Sequence, residues 1–225
     1  MPVITMCSTK GGVGKSTIAL ILAQSYAAAG SRVTLIDADP NQPLATWAKR
    51  FGQTVPENLK VIGEVTEQNI IDVIDTASTT DPFVIVDLEG SANMTASYAI
   101  SRADLVLIPL RGKQLDADQA SRVISLVGRE SRAYRRDIPY AVVFSLVSAL
   151  KSREYRHIRE SFEQKGIPIL PVEVTERAAF SAMFQLGGTL FELTDEDVSQ
   201  PHLAVEKARE LSKAVLAILP KKEAA

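Results

Sequence analysis

The sequence predicts a doubly wound α/β fold, a mostly parallel sheet flanked by helices on both faces. Three observations predict it. Short β-branched runs alternate along the chain with longer stretches of helical periodicity. The run Phe83-Val84-Ile85-Val86 is apolar at every position, so both of its faces must be covered, as in a parallel sheet between helical layers. A glycine-rich segment joins the first such run to the first helical stretch, and ligands of these folds sit at the carboxyl ends of the strands.

Val3–Cys7 is predicted as the first strand, followed by the glycine-rich loop and a helix from about Lys15 to Ala29. Gly30 is placed to end that helix as its C′ residue. Arg32–Ile36 is the next strand. Lys60–Ile62, Phe83–Asp87, Leu105–Pro109, Tyr140–Phe144 and Ile167–Leu170 are the later strands. Helices are expected near Gln68–Ala77, Asn93–Ser101, Asp116–Arg132, Ser152–Lys165, Ala178–Leu186 and His202–Leu219. The loops after Cys7, Ile36, Asp87 and Pro109 are therefore where chemistry is sought.

The chain has 225 residues, 46% of them apolar and 23% charged, which suits one globular domain over residues 1–225. A formal net charge of −2 excludes a general polycation, so nucleic-acid binding needs a local patch. A single cysteine, Cys7, excludes an intrachain disulfide and a cysteine metal cluster, and fits a reducing, cytoplasmic setting. The N-terminus lacks the basic start of a signal peptide. No apolar run approaches the roughly 18 residues that span a bilayer, so no membrane association is expected. His157 and His202 are isolated and show no metal-ligand spacing. Cys7 is expected in the buried strand and Trp47 as a core or interface anchor.

Lys10-Gly11-Gly12-Val13-Gly14-Lys15-Ser16-Thr17 stands between a buried strand and a helix N-terminus. Backbone N–H groups of such a loop point inward, and the helix dipole adds positive potential, so a polyphosphate is held. Glycine permits the close approach and the positive φ values that the turn needs. Lys15 can reach β- and γ-phosphates and Ser16 can ligate Mg2+. The usual pattern has its first glycine where this chain has Thr9, and an extra lysine, Lys10, precedes Gly11-Gly12. The competing reading is a glycine-rich turn with an incidental lysine. Phe83-Val84-Ile85-Val86 ends in Asp87, and an aspartate at the end of a buried strand can hold a Mg2+-bound water. Asp37-Ala38-Asp39-Pro40 follows the second strand; it is either a plain turn or a second acidic contribution to the same site.

Lys-Gly-Gly-Val-Gly-Lys-Ser-Thr resembles the deviant Walker A motif of the ParA/MinD group of P-loop ATPases. The chain is most similar there to small ParA proteins that segregate plasmids and to VirC1-type relatives. The resemblance implies ATP and Mg2+ as ligands and slow intrinsic hydrolysis. It assigns Asp39 to the attacking water and Asp37 to support of Mg2+ and the loop. It also implies that Lys10 crosses an ATP-bound homodimer to the partner's nucleotide. By analogy with nucleotide switches, the Gly90 N–H could sense the γ-phosphate. Glu89 departs from the small residue or proline usual in the group and reads more readily as a charged surface residue.

Charge is unevenly placed. Arg111 to Arg159 carries eleven Lys or Arg against five Asp or Glu. Arg122, Arg129, Arg132 and Arg136 share a helical spacing, and Lys151, Arg153, Arg156 and Arg159 form a second cluster. These read as a solvated face or, with the resemblance, as a nonspecific DNA-binding patch. The leading expectation is a partition ATPase with a centromere-binding, ParB-like adaptor, associated with the nucleoid. The alternatives are a positioning ATPase for another cargo, such as a conjugative-transfer or polar complex, and a metabolic P-loop enzyme. Glu176-Arg177 resembles a late segment of the group and lies either near the adenine, at the dimer face, or simply at a helix start. Ala204–Leu219 is amphipathic and is expected to pack rather than to bind membrane.

Overall fold

The computed structural model describes residues 1–220; the last five positions of the expected domain lie outside the described residues. Seven strands form one sheet: β1 (Val3–Met6), β2 (Val33–Ala38), β3 (Leu59–Ile62), β4 (Phe83–Leu88), β5 (Leu105–Leu110), β6 (Tyr140–Val147) and β7 (Val174–Thr175). Their order is β3-β2-β4-β1-β5-β6-β7, and every pairing is parallel. The helices are α1 (Lys15–Ala28), α2 (Pro43–Arg50), α3 (Ile70–Thr80), α4 (Met94–Arg102), α5 (Gln114–Tyr134), α6 (Arg153–Gln164), α7 (Ala178–Gln185) and α8 (Pro201–Ile218). This is the predicted doubly wound α/β architecture.

The two faces of the sheet bury separate apolar cores. One gathers Ile4, Met6, Leu35 and Ile85 with residues of α1, α7 and α8. The other gathers Val84, Val86, Val106 and Ile108 with residues of α3, α4, α5 and α6. Alternate residues of β4 thus feed opposite cores, which is why its whole run is apolar. Strands β2 to β4 lie on one side of β1 and β5 to β7 on the other, so the chain reverses direction across the sheet at β1. That switch point opens a crevice at the carboxyl end of β1, where the glycine-rich loop begins.

The first helix ends as expected: Gly30 has φ +86 and its N–H bonds the Ala27 carbonyl. Two differences from the sequence reading have local causes. Ile167–Leu170 forms no ladder strand; only Ile169 bridges to Val142. Pro168 and Pro171 each lack an N–H, so pairing cannot propagate, and the edge strand forms later at Val174–Thr175. Helix α2 was not expected. Pro43 occupies its first turn, and Trp47 is buried with its indole N–H donating to the Met183 carbonyl at 2.8 Å. Trp47 is therefore a core anchor. α8 packs Ala204, Ala208, Leu211 and Val215 into the first core. No described helix is long and apolar enough to cross a membrane.

Gly112 joins β5 to α5 with φ +77, and a Cβ there would meet the Tyr155 ring at 2.5 Å. Gly30 has a similar φ with open space around it. Gly112→Ala is expected to destabilise by about 2–4 kcal/mol, the sum of backbone strain and ring displacement. Gly30→Ala is expected to cost only about 1 kcal/mol, from backbone alone. Urea unfolding of both variants checks this; equal losses would show that the Tyr155 contact carries no energy.

Candidate functional site

The parallel register places Asp37 beside Asp87 on neighbouring strands, and Met6 beside Asp87 on the other side. The glycine-rich loop therefore springs from β1 directly over two strand-end carboxylates. Gly12 and Gly14 have φ +74 and +93, values that only glycine adopts at low cost. Gly14 occupies the N-cap of α1 with no side-chain cap, so the helix N-terminus faces the loop's interior. A cavity of about 510 Å3 lies there, and its floor is Gly11, Gly12, Gly14, Lys15, Ser16 and Thr17. Asp39, Asn41, Glu89, Gly90, Arg111 and Leu146 supply its walls.

Lys15 is buried, and its ammonium donates to the Lys10 carbonyl at 3.3 Å across the loop. Val13 also belongs to the loop, but its side chain is buried and its carbonyl accepts the Ser145 hydroxyl at 2.5 Å. Its contribution to the cavity is therefore backbone only. Lys10 does not line the cavity. Its ammonium pairs with Asp116 of α5 at 2.5 Å.

Asp87 is fully buried at the end of β4, and neither carboxylate oxygen has a partner in full hydrogen-bonding geometry among the described residues. Burial pushes its pKa up to about 7; the neighbouring Ser16 hydroxyl and Lys15 pull it down, and the Asp37 carboxylate pushes it up further. An orphaned carboxylate beside a hydroxyl and below a cationic loop suits a hard divalent cation with oxygen ligands. Asp37 differs. Its carboxylate accepts N–H bonds from Leu44 and Ala45 at 2.7 and 2.8 Å and from Asp39 at 3.2 Å. It caps α2 from the end of β2, which holds the Asp39 loop against the cavity. Burial raises its pKa, and those N–H donors oppose the rise. Asp39 faces the cavity and is held by the backbone and side-chain N–H groups of Asn41 at 2.8 and 2.9 Å.

Gly90 abuts the loop: a Cβ there would sit 2.9 Å from the Gly11 nitrogen and 3.0 Å from the Lys10 carbonyl carbon. Glu89 is not a free surface charge. It lines the cavity and accepts from the Ser91 hydroxyl at 2.8 Å and Asn93 at 3.1 Å, closing the β4–α4 loop. Leu146 escaped the sequence reading. It interrupts the β6–β7 register with φ +49 and turns its side chain toward Gly14. Leu146 and Arg111 also border a second cavity of about 320 Å3 that includes Ser148, Tyr155 and Glu176. Glu176 thus borders the second cavity, while Arg177 is the N-cap of α7. Cys7 is buried in the second core, with its thiol pushed up to about 12 by burial.

The basic residues divide. Arg122, Arg129 and Arg132 are exposed along α5 without an ion pair among the described residues. Arg136 does not continue their face. α5 ends at Tyr134, Arg135 turns with φ +52, and the Arg136 guanidinium donates to the Ser101 and Ala103 carbonyls at the end of α4. Lys151 and Arg159 are drawn into a cluster on Glu173, both at 2.6 Å, that also takes the Tyr155 hydroxyl. Arg153 and Arg156 remain exposed.

Two outcomes check this geometry. Gly90→Ala is expected to lower nucleotide affinity about tenfold or more, because its Cβ meets backbone that cannot yield; equilibrium binding of a fluorescent nucleotide reads it. Asp87 has a raised folded-state pKa, so its ionisation costs stability as pH rises from about 4 to about 7. Asp87→Asn is therefore expected to raise Tm, relative to wild type, by several degrees more at pH 8 than at pH 4 without divalent cation. An equal effect at both pH values refutes the assignment.

A profile of the VirC1 protein family matches residues 1–219. The chain is 42% identical over 216 residues to Protein ParA of Rhizobium radiobacter, covering 96% of each chain. The fold is similar to a putative plasmid partition protein from Borrelia burgdorferi bound to AMPPNP. There the TM-score is 0.72, with 20% identity over 96% of this chain and 98% of that one. It is equally similar to the Pyrococcus furiosus cell division ATPase MinD, with a TM-score of 0.73 and 16% identity over 96% and 99% of the two chains. At these identities the solved structures speak for the fold, and the family profile and the ParA relative speak for descent. A glycine-rich loop with a second lysine stands over two strand-end aspartates, and the chain that carries it belongs to the VirC1 protein family, with Protein ParA among its relatives.

Proposed function

We propose that the protein is an ATP-driven partition ATPase, an ATP hydrolase that dimerises on ATP, binds DNA without sequence preference and is released by hydrolysis. The observation that carries this reading is Lys10: a second loop lysine that stands outside its own phosphate cavity, with an ammonium that is not needed to complete it. In this reading the loop N–H groups, the α1 N-terminus and Lys15 hold the phosphates, and Asp39 orients the attacking water. Ser16 and Asp87, supported by Asp37, hold Mg2+, which neutralises phosphate charge. The Gly90 N–H senses the γ-phosphate, and Lys10 reaches the nucleotide of a partner copy. The second cavity, beyond Leu146, has room for the nucleoside end.

A partner copy has a surface to meet. Met94, Leu115 and Leu150 are 48%, 69% and 88% exposed, and all three stand on segments that follow the carboxyl ends of β4, β5 and β6, around the nucleotide cavity. Apolar side chains left in solvent beside a charged cleft favour an interface there. For DNA, Arg122, Arg129, Arg132, Arg153 and Arg156 are the available cations, whereas Lys151 and Arg136 are committed to internal partners. A ParB-like adaptor that stimulates hydrolysis completes the cycle, with nucleoid association in the cytoplasm between hydrolysis events.

With Mg2+ and a nonhydrolysable ATP analogue, sedimentation is expected to find a dimer for wild type and a monomer for Lys10→Ala. Only the dimer is expected to retard arbitrary duplex DNA. Double substitution Arg129→Glu, Arg132→Glu should leave the dimer intact and reduce the log–log salt slope of DNA binding by about 2. Arg136→Ala should instead lower Tm. A wild-type dimer that ignores DNA at low salt sinks the partition reading while leaving the nucleotide site standing.

A further inference from the structure

We propose that Asp116 is a positioning residue that holds Lys10 within its own subunit and so sets how much nucleotide is needed to throw the switch. The inference rests on the reading of Lys10 as the residue that reaches a partner's nucleotide. Asp116 lies in the first turn of α5 with its side chain only 1% exposed, against 41% for Lys10. One carboxylate oxygen takes the Lys10 ammonium at 2.5 Å, and the other takes the Arg111 N–H at 3.1 Å. Lys10 is therefore the only charged partner of a buried anion among the described residues, and a buried anion stripped of its partner is unfavourable.

The attachment has two points. The Thr9 hydroxyl donates to Gln119, one helical turn beyond Asp116, so consecutive loop residues are tied to one face of α5. On its other side the Lys10 backbone meets the β4–α4 loop at Gly90. Phosphate loop, β4–α4 loop and α5 thus converge on Lys10, and its ammonium cannot serve a second subunit without leaving Asp116. The half-exposed lysine is free to swing out; the buried carboxylate is not free to follow. Nucleotide binding must supply the difference, so the pair acts as a restraint on dimerisation.

Titration of Asp116→Asn with the nonhydrolysable analogue and Mg2+, followed by sedimentation, tests this. Its midpoint for dimerisation is expected about three- to tenfold below that of wild type, because the neutral amide no longer holds Lys10. Asp118→Asn makes the same charge change on an exposed residue of the same helix that accepts from Gln114, and should not move the midpoint. Far-UV circular dichroism confirms folding. Asp116→Glu, which keeps the charge but misplaces it by a methylene, is the second variant and should shift the midpoint the same way by less. A wild type that dimerises while both Asp116 variants keep or raise its midpoint overturns the restraint alone. A wild type that stays monomeric with the analogue overturns the dimer reading and the restraint together.

Discussion

Parallel pairing of β4 between β2 and β1 is the constraint from which the site follows. It fixes which strand ends stand side by side, and so sets Asp37 against Asp87 beneath a loop of backbone N–H groups. Two carboxylates so close, one of them without a partner in full hydrogen-bonding geometry among the described residues, are costly at the ends of buried strands. The fold tolerates them because the positive end of α1 and the ammonium of Lys15 lie directly above. The arrangement is strained in charge rather than in shape, which is what an ion- and phosphate-binding centre needs before its ligands arrive.

Much of this was legible in the sequence because it is local. A strand, a glycine-rich loop and a helix succeed one another between Val3 and Ala28, and a strand-terminal aspartate announces itself by the apolar run before it. What was not legible depends on contacts between distant segments. The Lys10–Asp116 pair joins residues more than a hundred positions apart, and Asp116 looks like any acidic residue in the first turn of a helix. Leu146 was hidden because a register break in β6 is set by its neighbours and not by its own run. Helix α2 was missed for a different reason. Its N-terminus is capped by Asp37 from the preceding strand, so the usual capping residue is absent at Gln42, although Pro43 and the Leu44–Trp47 spacing were signals in plain view.

The basic segment shows how an equal charge count can conceal unequal roles. Its cations divide between solvent and internal clasps. Arg136 satisfies carbonyls that the end of α4 leaves over, and Lys151 and Arg159 join α6 to the segment before β7 through Glu173. Burial works to raise the Glu173 pKa, but Lys151, the Tyr155 hydroxyl and Arg159 together hold it below the ordinary carboxylate value. The result is a charge-bearing α5–α6 side whose framework is itself held by some of the same residue types that decorate it.

The central place of β1 also governs how the molecule can be made. This strand is synthesised before the strands it pairs with, since Val3 pairs with Val84 and Ile4 with Leu105. A nascent chain therefore carries the glycine-rich loop with no sheet to anchor it until β4, and on its other side β5, have left the ribosome. Such long-range parallel pairing folds slowly and leaves apolar strands exposed meanwhile. Asp116 follows β5 by only a few residues, so the seat for Lys10 emerges just as the middle of the sheet can close. Closure of the phosphate site thus waits on β5 in biogenesis, because a chain that stops short of it leaves β1 without one of its two sheet neighbours.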